Sequence, residues 1–246
     1  MELFEKIITP VLSYTEEQPD RRCWSADTDM QWPAGGYGRI VLKEDMGLEL
    51  GSPEKEYLSC LLWTENLTLI TDSRITLVGP DFSESIGQSL PFGKVVLVGV
   101  TGFDEDNAYE RHKELDFLRY DIDLTGFMMR AVSQYMKEWC RVNHEAVANG
   151  FSAKVLGSSL IRLLRKKPYV VSAEVIFFTS STEAVRRLRE ITAPTEKIVS
   201  AMDKMAAEMD FECESCDYQE VCEEADGLRL MRDKLMAGKK EAAPYG

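Results

Sequence analysis

The sequence has 246 residues, of which 44% are hydrophobic and 29% are charged, as is typical of globular proteins with one or two domains. Its formal net charge of -13 excludes nucleic acid as an expected partner, because an acidic surface repels phosphate backbones. No apolar run approaches the ~18 residues of a membrane span or resembles a signal peptide, so we expect a soluble, cytoplasmic protein without membrane insertion.

The N-terminal residues are predicted to form a helix followed by an irregular arm. Apolar residues recur at helical spacing from Leu3 to Leu12, and Pro10 is expected to kink or end that helix. Residues 15–38 are rich in Pro, Gly, Asp and Gln, which is typical of irregular structure. We expect Trp24 and Trp32 to pack this arm onto the body of the protein.

Residues 39–101 are predicted to form a sheet. Short runs of β-branched and aromatic residues alternate there with Gly-Ser-Pro, Gly-Pro and Pro-Phe-Gly turn signals. The predicted strands are Ile40–Leu42, Tyr57–Trp63, Leu67–Thr71, Ile75–Val78 and Val95–Val100.

The following segment mixes helices with strands. Amphipathic helices are predicted over Glu105–Tyr120 and Ala153–Leu164, and residues 170–179 are predicted to form a strand. The pattern of Phe127–Val142 is compatible with either a helix or a strand.

The C-terminal part is predicted to be mainly helical. Ser180-x-x-Glu183 is a capping-box signature that opens a helix, and Pro194 is expected to break it. Further helical stretches are predicted over Ile198–Met209 and Leu228–Met236, and we expect Lys239–Gly246 to be disordered. The methionines Met202, Met205 and Met209 are interpreted as core residues, although their 3-4 spacing could also present a soft metal stripe.

These elements predict an α+β fold, in which a mixed sheet with packed helices is followed by a helical segment that contains cysteines. We divide the chain into an N-terminal helix and arm (1–36), an α+β core domain (37–194) and a helical cysteine-containing segment with a short tail (195–246).

Three of the six cysteines, Cys213, Cys216 and Cys222, fall within ten positions. Six cysteines are too few for a disulfide scaffold, and a Cys-x-x-Cys pair lets two thiolates reach one metal or cluster. Thiolates suit iron-sulfur clusters, zinc or Cu(I). A [4Fe-4S] cluster needs four ligands, so it would require an open iron, a non-cysteine ligand or a further cysteine such as Cys23, Cys60 or Cys140. The alternative is a segment without metal, or one that forms an adventitious disulfide.

The charge around these cysteines is strongly negative. Between Asp203 and Asp226 the sequence has ten carboxylates against the single Lys204. Such a field disfavours an anionic cluster and attracts cations, which favours zinc or a labile metal site.

No catalytic residue is assigned from the sequence. There is no Gly-x-Gly-x-x-Gly or P-loop motif, no recognisable Ser-His-Asp or Cys-His set, and no evident pair of buried acids. His112 and His144 each lack a second histidine at metal-ligand spacing, and we interpret both as surface residues.

Five short motifs occur in order along the chain. They are Lys43-Glu44-Asp45-Met46, Val78-Gly79-Pro80-Asp81, Ser89-Leu90-Pro91-Phe92-Gly93, Ala146-Val147-Ala148-Asn149-Gly150-Phe151 and Cys213-x-x-Cys216. In order and spacing they resemble the acetyl-CoA synthase (beta) subunit of carbon monoxide dehydrogenase/acetyl-CoA synthase complexes. The similarity covers roughly residues 37–222, and a chance match would have to reproduce every motif in sequence.

The resemblance implies a fold like the middle region of that subunit and a place in anaerobic one-carbon metabolism. Cys213 and Cys216 correspond to the first two cysteines of the family's [4Fe-4S] cluster, and Cys216 would be the one bridging to nickel. The family's third cysteine lies further along than Cys222, and the chain contains no Cys-Gly-Cys motif for the second nickel. A complete synthase is therefore not expected from this chain alone, and no nickel site is expected.

We therefore expect an iron-sulfur accessory or redox protein that acts beside a corrinoid protein or a carbon monoxide dehydrogenase-type subunit. The alternative is a metal-free or zinc-bearing module that docks a partner or binds coenzyme A. The resemblance suggests Arg162, Arg165 and Lys166 as ligands of coenzyme A phosphates. These cations, with Lys167, are equally explained as complements of a helix C-terminus ahead of Pro168.

Overall fold

The computed structural model describes residues 2–27, 29–36, 40–132, 137–207 and 216–242. The fold is α+β, as predicted from the sequence. Within these residues the strands are β1 (Arg21–Ser25), β2 (Met46–Leu50), β3 (Tyr57–Thr64), β4 (Arg74–Val78), β5 (Gln88–Leu90), β6 (Phe92–Val100), β7 (Phe127–Val132), β8 (Lys137–Asn143) and β9 (Val170–Phe178). The helices are α1 (Glu5–Glu16), α2 (Ala108–Phe117), α3 (His144–Ala148), α4 (Ala153–Leu164), α5 (Thr182–Ala206), α6 (Gln219–Glu224) and α7 (Asp226–Ala242).

The larger sheet has five strands in the order β1-β4-β9-β6-β3. It is mixed, because β4 pairs with β9 and β3 with β6 in parallel, whereas β1 with β4 and β6 with β9 are antiparallel. Every residue of β6 is buried, and Val171 is the one exposed residue of β9. Such nearly continuous burial identifies central strands that are covered on both faces.

The smaller sheet has four strands in the order β5-β2-β8-β7. Strands β7 and β8 pair in antiparallel orientation, so the described residues of the segment Phe127–Val142, which the sequence left open between helix and strand, are extended. Residues 133–136 lie outside the described ranges. Strand β8 contacts β3 at the edge of the larger sheet. The two sheets therefore share one apolar core.

Helices cover the larger sheet and close the core. Helix α4 packs on β4 and β9, and α5 packs on β3, β6 and α1. The ring of Tyr14 on α1 stacks on Phe178 of β9 with ring centroids 5.6 Å apart. The core cluster runs from Leu3 to Met231 and so includes residues of all three predicted segments. None of the helices in the described ranges is long and apolar enough to cross a membrane.

Two prolines lie inside helices, although Pro10 was predicted to kink or end its helix and Pro194 was predicted to break its helix. Pro10 is within α1, and Pro194 is within α5, which continues for 25 residues from Thr182 to Ala206. A helix-interior proline costs about 3 kcal/mol. Burial of Ile198, Ala201 and other residues after Pro194 offsets that cost, because they complete the core. The helix cap is also one residue later than predicted, since Ser181 Oγ accepts the Ala184 N–H at 3.0 Å.

Some strand predictions were wrong. Residues 40–42 form no strand, and Leu67–Leu69 forms a 3₁₀ turn in which Asn66 Oδ1 accepts the Thr68 N–H. The arm predicted to be irregular contains β1, which pairs with β4, and the short strands β2 and β5 were missed. Trp24 and Trp32 pack against the core, which confirms their predicted role.

The helix predictions were better. The bounds of α4 match the prediction, whereas α2 begins at Ala108, three residues later than predicted. Met202 and Met205 are buried in the core as predicted, and Met209 lies outside the described residues. The sequence predicted disorder from Lys239 onward, but residues 239–242 belong to helix α7, so the prediction was wrong for them. Residues 243–246 lie outside the described ranges.

The motif Val78-Gly79-Pro80-Asp81 has a clear structural role. Gly79 has a φ of +109°, and a Cβ there would lie 2.4 Å from the backbone nitrogen of Ser180, so only glycine fits. Asp81 Oδ1 accepts the N–H groups of Phe82 at 2.7 Å and Ala153 at 2.8 Å. This carboxylate therefore ties the end of β4 to the first turn of α4.

Candidate functional site

Two of the three clustered cysteines line one small cavity between α5, α6 and α7. Cys216 precedes α6 and is partly buried, and Cys222 lies within α6 and is buried. The cavity has a volume of about 30 Å³. Cys213 lies outside the described residues. The remaining lining residues are Ala201, Lys204, Met205, Tyr218, Gln219 and Arg232.

The charge inside this cavity differs from that of the surrounding sequence. Lys204 Nζ lies 3.5 Å from Cys216 Sγ and 5.7 Å from the centroid of the Tyr218 ring. Arg232 of α7 lines the same cavity. Lys204 and Arg232 therefore bring positive charge to a cavity whose flanking sequence is strongly negative.

Two residues of this cavity, Cys216 and Cys222, carry the sulfur donors that soft metal ions prefer. A volume of about 30 Å³ is enough for one or two water-sized occupants, which suits a single ion. A [4Fe-4S] cluster would require lining side chains such as Met205 to move outward. Within the described ranges no three His, Cys, Asp or Glu residues form a metal-binding group.

The other three cysteines lie on different strands. Cys23 is exposed on β1, whereas Cys60 on β3 and Cys140 on β8 are buried. Burial raises the pKa of the Cys60 thiol to about 12 and also raises that of Cys140. Cys60 and Cys140 are therefore protonated core thiols.

The structure separates the cations that the sequence grouped as phosphate ligands. Arg162 donates to the Met30 carbonyl, and Arg165 pairs with Asp72 and donates to the Val171 carbonyl. Lys166 instead lines a cleft of about 590 Å³ together with Lys167 and Arg130. Lys167 also pairs with Glu114.

A buried polar network between the two sheets was missed by the sequence analysis. Lys94 of β6 pairs with Glu138 of β8, and each is 1% exposed. Ser59 Oγ donates to Glu138 Oε2 at 2.9 Å and accepts from Arg119 Nη1 at 3.2 Å. Arg119 in turn pairs with Asp116. The one available signal was the lysine within the otherwise apolar run of β6.

His112 is buried, so its predicted position on the surface was wrong. Its ring stacks on that of Phe4, the residue immediately before α1, with ring centroids 5.7 Å apart. Burial lowers the pKa of His112 to about 4; Asp116 opposes this shift and Arg119 adds to it. The imidazole is therefore neutral at pH 7. His144 is exposed, as predicted.

Comparison with known proteins matches residues 31–185 to the family described as CO dehydrogenase/acetyl-CoA synthase complex beta subunit. The matched region contains most of both sheets and the buried network, and it ends at the start of α5. The cysteine cavity lies outside it.

The chain is also similar to individual proteins of known identity. It is 29% identical over 160 residues to the acetyl-CoA decarbonylase/synthase complex subunit beta 2 of Methanosarcina acetivorans, covering 63% of this chain and 33% of the relative. It is 25% identical over 162 residues to the corresponding subunit beta of Archaeoglobus fulgidus, covering 64% and 30%.

A third relative is the carbon monoxide dehydrogenase/acetyl-CoA synthase subunit alpha of Moorella thermoacetica, which is 30% identical over 175 residues, covering 68% of this chain and 22% of the relative. The matched region thus spans a third or less of the length of these relatives. Because the family match covers more than half of the chain, the chain belongs to the CO dehydrogenase/acetyl-CoA synthase complex beta subunit family.

Proposed function

We propose that this chain is an accessory subunit in anaerobic CO and acetyl-CoA metabolism that binds metal through Cys213, Cys216 and Cys222. The observation that carries the proposal is the shared cavity of Cys216 and Cys222, which brings two soft thiol donors together. Family membership supports the metabolic setting, because the relatives are named as subunits of these complexes.

The residues of the cavity have distinct parts in this proposal. Cys216 and Cys222 bind the metal, and Lys204 stabilises negative charge on the coordinated sulfur of Cys216. An iron-sulfur cluster at the site would supply electron transfer, whereas a zinc ion would cross-link the helical segment. We favour an iron-sulfur cluster because the motifs resemble those of the family. The small volume of the cavity supports a zinc ion as the alternative.

The partner in this proposal is a carbon monoxide dehydrogenase-type subunit or a corrinoid protein. An accessory role needs only the scaffold, the metal site and a docking surface.

Metal analysis after anaerobic purification tests the metal site. We expect about four irons and four sulfides per chain for a cluster, or about one zinc for a single ion. Either content should be lost in a Cys213→Ser/Cys216→Ser variant and retained in Cys23→Ser, because Cys23 is on the distant strand β1. Metal below about one tenth of an equivalent in the wild-type chain, or equal content in all three proteins, would contradict the proposal.

A second candidate function, coenzyme A binding, is favoured by the cleft that contains Lys166. Four cations line this cleft of about 590 Å³, which is large enough for a small molecule, and they outnumber the two carboxylates of Asp121 and Asp123. The cations are Arg119, Arg130, Lys166 and Lys167. Phosphate groups are commonly bound by such clusters of cationic side chains.

Calorimetric titration with coenzyme A distinguishes the cations of this cleft from Arg162 of α4. Reversing the charge in Lys166→Glu should weaken binding at least tenfold, because the carboxylate repels phosphate. Arg162→Glu is the matched control, since Arg162 does not line the cleft and donates to the Met30 carbonyl. Equal affinities of the two variants, or no binding by the wild-type chain, would exclude coenzyme A from this cleft.

A further inference from the structure

Strand β1 forms an open edge of the larger sheet. It is the end strand in the order β1-β4-β9-β6-β3, and β4 is its one partner strand among the described residues. Its side chains alternate in exposure: Arg21, Cys23 and Ser25 are exposed, whereas Arg22 and Trp24 are half-buried. The strand precedes residues 31–185, so this edge lies outside the region that matches the family.

The ladder between β1 and β4 leaves alternate residues of β1 with outward-pointing backbone groups. Directly after β1, the Ala26 N–H donates to the Ser73 carbonyl at 2.7 Å, which sets the phase of the ladder. Since the backbone groups of an antiparallel strand alternate in direction, Trp24 and Arg22 also face β4. The other three residues therefore direct their N–H and C=O groups toward the free edge. These residues are Arg21, Cys23 and Ser25.

These outward groups have no hydrogen-bond partner among the residues that the structure describes. The five residue pairs between β1 and β4 are continuous, so no bulge interrupts the edge, and β1 contains no proline. A straight row of unpaired N–H and C=O groups is a template for another strand unless such features block it. The edge of β1 can therefore accept a strand from another molecule.

The sequence of β1 is complementary to itself in antiparallel pairing. A second copy of β1 brings all five residues into register when Cys23 lies opposite Cys23. The outward groups of the two strands then face each other, and Arg21 lies opposite Ser25. Arg22 lies opposite Trp24, which pairs a cation with an aromatic ring. No like charges oppose each other in this register, so the cross-strand pairs favour it.

We propose that β1 pairs with β1 of a second copy of this chain across a two-fold axis at Cys23, so that two five-stranded sheets join edge to edge. Each copy contributes the same strand, so the contact closes as a dimer and leaves no open edge at β1. The dimer is independent of the cysteine cavity and of the cleft at Lys166, and it stands whether or not those sites bind a ligand.

The two-fold axis gives this dimer a chemical signature. Opposite residues of a hydrogen-bonded antiparallel pair have Cα atoms about 5.5 Å apart, which lies within the range found in disulfides. Cys23 is exposed, so an oxidant can reach its thiol in both copies. Diamide should therefore link two chains through Cys23. The two thiols lose two protons and two electrons, and the diazene bond of diamide is reduced to a hydrazine.

Sedimentation velocity of the full chain over a series of concentrations tests the dimer, and non-reducing electrophoresis after diamide treatment tests the axis. The wild-type chain should form a concentration-dependent dimer that diamide links covalently. Cys23→Ser keeps the backbone N–H, so it should dimerise with unchanged affinity and form no linked species. Cys23→Pro lacks the central outward N–H but keeps the ladder to β4, so its dimer should be weaker by at least about tenfold while its circular dichroism spectrum matches the wild type.

Two substitutions of Ser25 test the register while keeping every backbone group of β1. Ser25→Glu places a carboxylate opposite Arg21 of the second copy and should tighten the dimer by about three- to tenfold, whereas Ser25→Arg opposes two cations and should weaken it by a similar factor. A chain that stays monomeric at every concentration, unchanged dimer affinity in folded Cys23→Pro, diamide linkage that persists in Cys23→Ser, or shifts of the same sign in both Ser25 variants would overturn the proposal.

Discussion

Replacing Lys94 by methionine is expected to lower the free energy of unfolding by about 3–5 kcal/mol, because it leaves Glu138 as a buried charge without its partner. Both side chains are 1% exposed, so water cannot replace the lost ammonium. The hydrogen bond that Ser59 donates to Glu138 stabilises the carboxylate only in part. Chemical denaturation followed by circular dichroism measures the change.

The double variant Lys94→Met/Glu138→Leu is the control for this prediction. Removing both charges should return stability to within about 1–2 kcal/mol of the wild type, because a desolvated pair contributes little net free energy. Arg187→Met, which removes an exposed pair with Glu190, should change stability by less than about 1 kcal/mol. A loss below about 1 kcal/mol in Lys94→Met, or a double variant as unstable as the single one, would show that Glu138 is not held as a buried ion.

Stability is expected to fall by about 3 kcal/mol as the pH is lowered from 6.5 to 4, through His112 alone. Burial lowers the pKa of His112 in the folded state to about 4, against an unfolded value of about 6.5. Between these values the unfolded chain binds a proton that the folded chain does not, so acid favours unfolding. Above pH 6.5 and below pH 4 the two states bind equally, and the contribution of His112 is constant.

A comparison of variants separates His112 from the carboxylates that titrate in the same range. His112→Phe should retain more stability than the wild type at pH 4.5 relative to pH 7.5, and His144→Phe should follow the wild type because His144 is exposed. Unfolding free energies at four or five pH values give the slopes. Identical slopes for His112→Phe and the wild type would mean that the folded chain accepts the proton, contrary to the lowered pKa.

Local sequence patterns correctly predicted the strands and helices in which the spacing of the apolar residues itself indicates which side chains are buried. Three of these strands, β3, β6 and β9, are nearly continuous apolar runs. The apolar residues of α4 recur with the period of a helix, so its sequence was also sufficient to predict it. The family motifs were informative for a related reason. Gly79 and Asp81, for example, satisfy backbone requirements that few other residues meet.

Predictions failed where a distant part of the chain determines the outcome. Pro194 lies within a helix because the residues after it complete the core, and His112 is buried because α1 places Phe4 on its ring. Lys94 and Glu138 are 44 positions apart on strands of different sheets, so no local pattern relates them. The cysteine spacing did indicate that Cys216 and Cys222 lie together, but the cations Lys204 and Arg232 beside them come from other helices.

The position of β9 has a consequence for how the chain folds during synthesis. β9 lies at the centre of the five-stranded sheet, yet it is the last strand among the residues that the structure describes. Until it leaves the ribosome, the β1-β4 and β3-β6 pairs are separate fragments, each with an open apolar edge. Its insertion creates one parallel and one antiparallel pairing at once, with sequence separations near 100 and 80 residues. The nascent chain therefore completes its larger sheet in one late step and exposes aggregation-prone strand edges before it, so this is the stage at which a chaperone would act.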